Sequence, residues 1–194
     1  GLSNTNMWWG PGIHTSLTMT NNTTGFPHIL IGTLKEKKIK NIGLNLRYIF
    51  SQLNKMRGNP YYTALVWSIR FYSDPIITFG ISRNYLSGGI PTDRPFSSIN
   101  AALLPFESLF IDTKIKNYQS DWEAHDPWDQ TMSGFISLDY KPSNLKLFIE
   151  LGTDDHRQNW MDFRSQPDHN SAMIIGLRKY NLFNQESIFG GFEY

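Results

Sequence analysis

Two stretches of this chain gather, within a few residues of each other, the side-chain types that recognise a hydroxyl-rich ligand. One holds Tyr118, Asp121, Trp122, Glu123, His125, Asp126, Trp128 and Asp129. The other holds Asp154, Asp155, His156, Arg157, Trp160, Asp162, Arg164, Asp168 and His169. Aromatic faces stack on the C–H surfaces of a sugar, while carboxylates and guanidinium groups exchange hydrogen bonds with its hydroxyls. The same residues also suit solvated loops that pack on one another. Residue types alone leave both readings open.

Other chemistries fare worse. Asp154-Asp155-His156 and His125-Asp126 carry metal-ligand types, but neither has the spacing of a closed site, so no metal is expected. Two carboxylates suffice for glycoside hydrolysis, yet nothing singles out a pair among the many. No Gly-x-Ser-x-Gly string occurs and there is no cysteine, which removes thiol nucleophiles, thiolate metal sites and disulfides. No enzyme and no cofactor are expected. The 18 Lys and Arg against 17 Asp and Glu give a net charge of +1, with no reason to invoke nucleic acid.

The elements that position these loops are strands. Ile42, Leu44, Leu46 and Tyr48 alternate with Gly43, Asn45 and Arg47; Leu65, Trp67, Ile69 and Phe71 with Val66, Ser68, Arg70 and Tyr72; Leu145, Leu147, Ile149 and Leu151 with Lys146, Phe148 and Glu150. Period-two alternation predicts β-strands, and nine segments show it: 12–20, 27–35, 40–53, 62–72, 76–85, 131–140, 145–153, 171–180 and 187–194. A turn at 141–144 sets Tyr140 opposite Leu145, Leu138 opposite Leu147 and Asp139 opposite Lys146, a register that keeps the two faces separate. Ser97 followed by helix formers up to Leu104, with Pro105 after them, predicts a short helix in the 86–130 connection, over or inside the mouth.

Short connections (36–39, 73–75, 141–144, 181–186) alternate with others at 21–26, 54–61, 86–130 and 154–170. Short turns on one rim and longer loops on the other describe an antiparallel transmembrane β-barrel of the outer-membrane type. Trp8, Trp9, Tyr48, Phe50, Tyr61, Tyr62, Tyr72, Tyr85, Tyr140 and Tyr180 are expected in its aromatic girdles. Arg47, Arg70, Asp139, Lys146, Glu150 and Arg178 are expected on the lumen face. Lys35, Lys37, Lys38 and Lys40 read as a solubilised periplasmic turn. A soluble β-barrel binding module or sandwich also alternates in this way, and a porin or solute transporter shares the charged lumen. Nine strands is an odd number for a bacterial barrel, and the chain opens at Gly1 without Met. Residues 1–194 are thus expected to be one barrel domain truncated at both ends.

One string goes further. Trp8-Trp9-Gly10-Pro11-Gly12, then Ser16-Leu17, Asn21-Asn22 and Pro27, resembles the Wzi family of outer-membrane capsule assembly proteins. Gly80-Ile81-Ser82-Arg83, Asp126-Pro127-Trp128-Asp129-Gln130 with Ser133-Gly134, and Trp160-Met161-Asp162-Phe163 with Gln166-Pro167-Asp168-His169 and Gly176-Leu177 are similar to later parts of that family. Thr23-Thr24 departs from the usual residues after the Asn turn. The resemblance implies part of an eighteen-stranded barrel in the bacterial outer membrane, with lipid around it. It also implies a lectin-like hold on capsular polysaccharide or exopolysaccharide. Trp122, Trp128 and Trp160 are then the expected stacking platforms, with Asp126, Asp155, Arg157 and Arg164 as polar partners. The Trp-Trp-Gly-Pro-Gly string itself reads as structural, with the two glycines allowing tight backbone, Pro11 stiffening it and the Trp pair anchoring the interface.

Overall fold

The computed structural model describes residues 1–22, 25–54, 56–88, 96–106, 128–154, 171–185 and 188–194. The alternating segments become one antiparallel sheet: β1 (Leu2–Ser3), β2 (His28–Gly32), β3 (Lys37–Ile39), β4 (Ile42–Gln52), β5 (Tyr61–Phe71), β6 (Ile76–Ser87), β7 (Trp128–Tyr140), β8 (Leu145–Asp154), β9 (Ser171–Tyr180) and β10 (Phe189–Glu193). Neighbours in sequence are neighbours in space, except that β2 and β3 both pair with β4. The expected strand 27–35 is therefore shortened to β2, and the expected short connection 36–39 instead adds β3 to the edge of β4. The sheet is not closed: β1 and β10 end the order.

The β7–β8 register sets Leu138 opposite Leu147, Asp139 opposite Lys146 and Tyr140 opposite Leu145, as the face-consistent pairing requires. Asn144 takes the left-handed conformation that closes the turn, with φ 51°. Connections 72–75, 141–144 and 181–188 leave one rim, together with the tight turn at 40–41. Connections 4–27, 53–60, 88–127 and 155–170 leave the other.

Pairing propagates the two faces across the sheet. Leu44, Ile69, Phe79, Ile136, Ile149 and Ile175 form one continuous cross-strand row. Leu46, Trp67, Ile81, Gly134, Leu151 and Met173 form the next. Most of these side chains are exposed, Leu151 at 54%. We name this the outer face. The inner face carries Arg47, Arg70, Asp139, Lys146, Glu150 and Arg178, the six charges expected to share a side.

Residues 12–20 are not a strand. The segment instead doubles back across the inner face, with a single isolated bridge between Trp9 and Met19. Pro11 has no N–H to offer a ladder, and Gly10 sits at φ 144°, outside strand geometry. Met7, Trp9 and Met19 pack on Ile49, Ala64 and Val66 of β4 and β5.

Two inner-face aromatics fill the space above glycines on neighbouring strands. A Cβ on Gly176 would lie 2.1 Å from the Phe148 ring, and one on Gly80 would lie 2.2 Å from the Phe135 ring. Overpacking of this kind costs about 1–3 kcal/mol. Gly176→Val should therefore lower the yield of folded, heat-modifiable protein, and Phe148→Ala in the same chain should restore part of it. Equal yields for the wild type and Gly176→Val would refute this packing.

Candidate functional site

The most elaborate polar construction among the described residues holds the Trp8-Trp9-Gly10-Pro11-Gly12 segment to the inner face. Glu193, on β10, accepts the backbone N–H of Ile13 at 2.7 Å, of Thr15 at 2.9 Å and of His14 at 3.2 Å. Three consecutive amides around one carboxylate make an anion nest built from the chain itself. Lys146 on β8 donates to the carbonyl of Pro11 at 3.4 Å. Glu150, fully buried on β8, accepts from the Ser133 hydroxyl at 2.8 Å and faces the Leu17 amide and the Ser16 hydroxyl. Ser133 contacts Ser82 at 2.9 Å, Ser82 contacts Thr18 at 2.7 Å, and Asn84 donates to the Thr18 carbonyl at 2.8 Å.

This arrangement explains the glycine in the string. A Cβ on Gly10 would fall 2.6 Å from a Glu150 carboxylate oxygen and 2.7 Å from the Ser16 hydroxyl, besides the strain of a positive φ. It also corrects the girdle assignment. Trp9 is 3% exposed and turned into the inner-face core, and Trp8 donates its indole N–H to Gly12 O at 3.1 Å. Tyr62 belongs to the same core, while Tyr72, against Glu36, and Tyr180, under Arg178, also lie on the inner side. The reason is the partner each ring finds on the inner face: an apolar wall for Trp9 and Tyr62, the Gly12 carbonyl for Trp8, the Glu36 carboxylate for Tyr72 and the Arg178 guanidinium for Tyr180.

The opposite face has a cover of its own at the long-connection rim. Helix α1 (Ser98–Leu103) starts at the Ser97 cap, whose hydroxyl accepts the Asn100 N–H at 3.1 Å, and runs into a 3-10 turn over Leu104–Phe106. Its C-terminal carbonyls accept from the Tyr48 hydroxyl at 2.8 Å and the Thr63 hydroxyl at 2.9 Å. Tyr85, Phe96, Ala101 and Leu104 form a cluster against Phe50, Tyr61 and Trp128. By strand parity Tyr48, Thr63, Tyr85 and Trp128 all lie on the outer face. The helix exists as expected, but it packs on the outside of the rim, not over the mouth. Aromatic rings on the outer face gave its apolar side more area to bury than a polar mouth offers.

Of the seven expected ligand-binding residues, Trp128 alone is described. It is half-buried on the outer face, its ring 5.9 Å from that of Phe96. Trp122, Asp126, Asp155, Arg157, Trp160 and Arg164 lie outside the described residues. The ends that launch their two loops are adjacent, because Thr131 pairs with Asp154 and Thr153 with Ser171. No group of three or more His, Asp or Glu with metal-site geometry occurs among the described residues. No described helix is long and apolar enough to cross a membrane, which says nothing of crossing by strands. Sequence reasoning missed Glu193 and the binding role of Lys146 and Glu150 toward residues 10–17. The separation of about 180 positions between Glu193 and its amides leaves no local signal.

Comparison with known proteins decides the family. Residues 4–188 match the model of capsule assembly protein Wzi, nearly the whole chain. The chain belongs to the Wzi family. No curated protein and no solved structure matches it. Family membership gives this chain a role in capsule assembly and accounts for the antiparallel, strand-dominated architecture. In this Wzi-family chain the Trp8-Trp9-Gly10-Pro11-Gly12 string lies against the inner wall.

Proposed function

We infer that this Wzi-family protein holds capsular or exopolysaccharide at the bacterial surface as a lectin-like outer-membrane barrel. The observation that carries the reading is the division of the sheet. Rows of exposed apolar side chains cross the outer face, and charges and hydroxyls occupy the inner one. An apolar area of that extent is an aggregation hazard in water and the natural surface of a barrel in lipid. Further strands, up to the eighteen of the expected barrel, would pair with the open edges at β1 and β10.

The long connections 88–127 and 155–170 share one rim, the first entering β7 beside the end of β8 from which the second leaves, which fits the outward mouth of such a barrel. Trp122 and Trp160 are the proposed stacking platforms, with Asp126, Asp155, Arg157 and Arg164 as hydroxyl partners; Trp128, packed against Phe96 on the outer face, is left out of the proposed set. A combined Trp122→Ala and Trp160→Ala variant of the intact protein should reach the outer membrane at normal level and retain several-fold less capsule on the cell. Normal retention at normal level removes these loops from the reading. Ion conductance in planar bilayers separates the proposal from a porin, whose charged lumen would carry current.

A further inference from the structure

We propose that the strip formed by residues 4–8 and 20–22, on the inner face at the long-connection rim, is itself a polysaccharide-binding subsite. This proposal rests on the reading that the protein holds polysaccharide. The strip alternates as a strand would. Met7, Trp9 and Met19 are buried against the wall, whereas Asn4, Asn6, Asn21 and Asn22 are exposed and Trp8 is half-buried. The side turned away from the wall therefore offers carboxamides beside one indole. Each carboxamide both donates and accepts, matching a sugar hydroxyl in either role.

The strip is also held ready. The indole N–H of Trp8 is fixed on Gly12 O at 3.1 Å, which sets the ring plane. Asn6 donates to the carbonyl of Asn21 at 3.5 Å, joining the two arms. Deeper in the insert, the Glu193 nest and Glu150 anchor residues 10–17, so the arms leave a fixed base. An irregular segment tied down by two carboxylates loses less freedom on binding a ligand than an ordinary loop, which is the advantage of preorganisation.

The test uses the intact, detergent-purified protein and capsular polysaccharide extracted from the strain that encodes it, immobilised on a sensor. Trp8→Ala should weaken binding by about tenfold or more, the usual loss for an aromatic anchor. Trp8→Phe keeps a ring and loses the N–H, so it should remain within about threefold of wild type; a purely structural role for the Gly12 bond would make Phe as poor as Ala. The exposed pair Asn4→Ala with Asn22→Ala should also weaken binding several-fold, and it carries the test if Trp8→Ala loses its heat-modifiable folded band. Wild-type binding with both sets of variants within twofold overturns the subsite and leaves the holding function intact. No binding by the wild type overturns the holding reading, and this subsite with it.

Discussion

Ile69→Arg should cripple assembly of the protein into membranes, while Ser68→Arg, one residue away, should be tolerated. Ile69 stands in the outer-face row between Leu44 and Phe79. Ser68 stands on the inner face between Asn45 and Gly80. An Arg directed at lipid near the bilayer midplane costs about 2–4 kcal/mol, and a lumen position lets the same side chain reach water and charged neighbours. The measurement is the amount of heat-modifiable protein recovered from outer membranes for each variant of the intact protein. Equal recoveries would mean that the outer face does not meet lipid, and would favour a soluble module whose apolar rows are covered by another partner.

Glu193→Ala should free the inner-face insert. The carboxylate serves three successive amides, and bonds to a charged group contribute about 1.5–3 kcal/mol each before the loss of mutual overlap is counted. A net loss of about 2–4 kcal/mol in the docking of residues 10–17 is expected, a rise of roughly thirtyfold or more in the undocked fraction. The chain contains no cysteine, so Ser16→Cys, at a position only 7% exposed while the insert is docked, introduces a unique thiol. That thiol should react with a bulky maleimide far faster in the Glu193→Ala background than beside the native carboxylate. Glu193→Gln, which keeps one acceptor oxygen, should fall between the two. Unchanged labelling rates would show that the hydrophobic contacts of Met7, Trp9 and Met19 hold the insert without Glu193.

Much of this architecture was legible from residue order. Alternation in β4, β5, β7 and β8 set which side chains share a face, because a strand places successive Cβ atoms on opposite sides whatever surrounds it. The β7–β8 register followed from the same rule, since a one-residue slip would mix Leu138 and Leu147 with charged positions. Ser97 announced α1 through a local hydrogen bond that needs no tertiary partner. The Trp-Trp-Gly-Pro-Gly string carried a resemblance to the family that the match over residues 4–188 bears out.

The placement of that string was another matter. Residues 12–20 alternate well enough to pass for a strand, and a Trp pair beside glycines suits an interface as well as a core. The decision came from Ile49, Ala64, Val66, Glu150 and Glu193, which meet the segment only after the sheet has formed. The side on which α1 lies was decided in the same way, by Tyr48, Thr63 and Tyr85 arriving from three strands. Sequence by itself determined what depends on neighbours along the chain: strand identity, face, register and cap. Tertiary structure alone decided which surface each amphipathic segment covers, because that choice compares burial sites assembled from residues scores of positions apart.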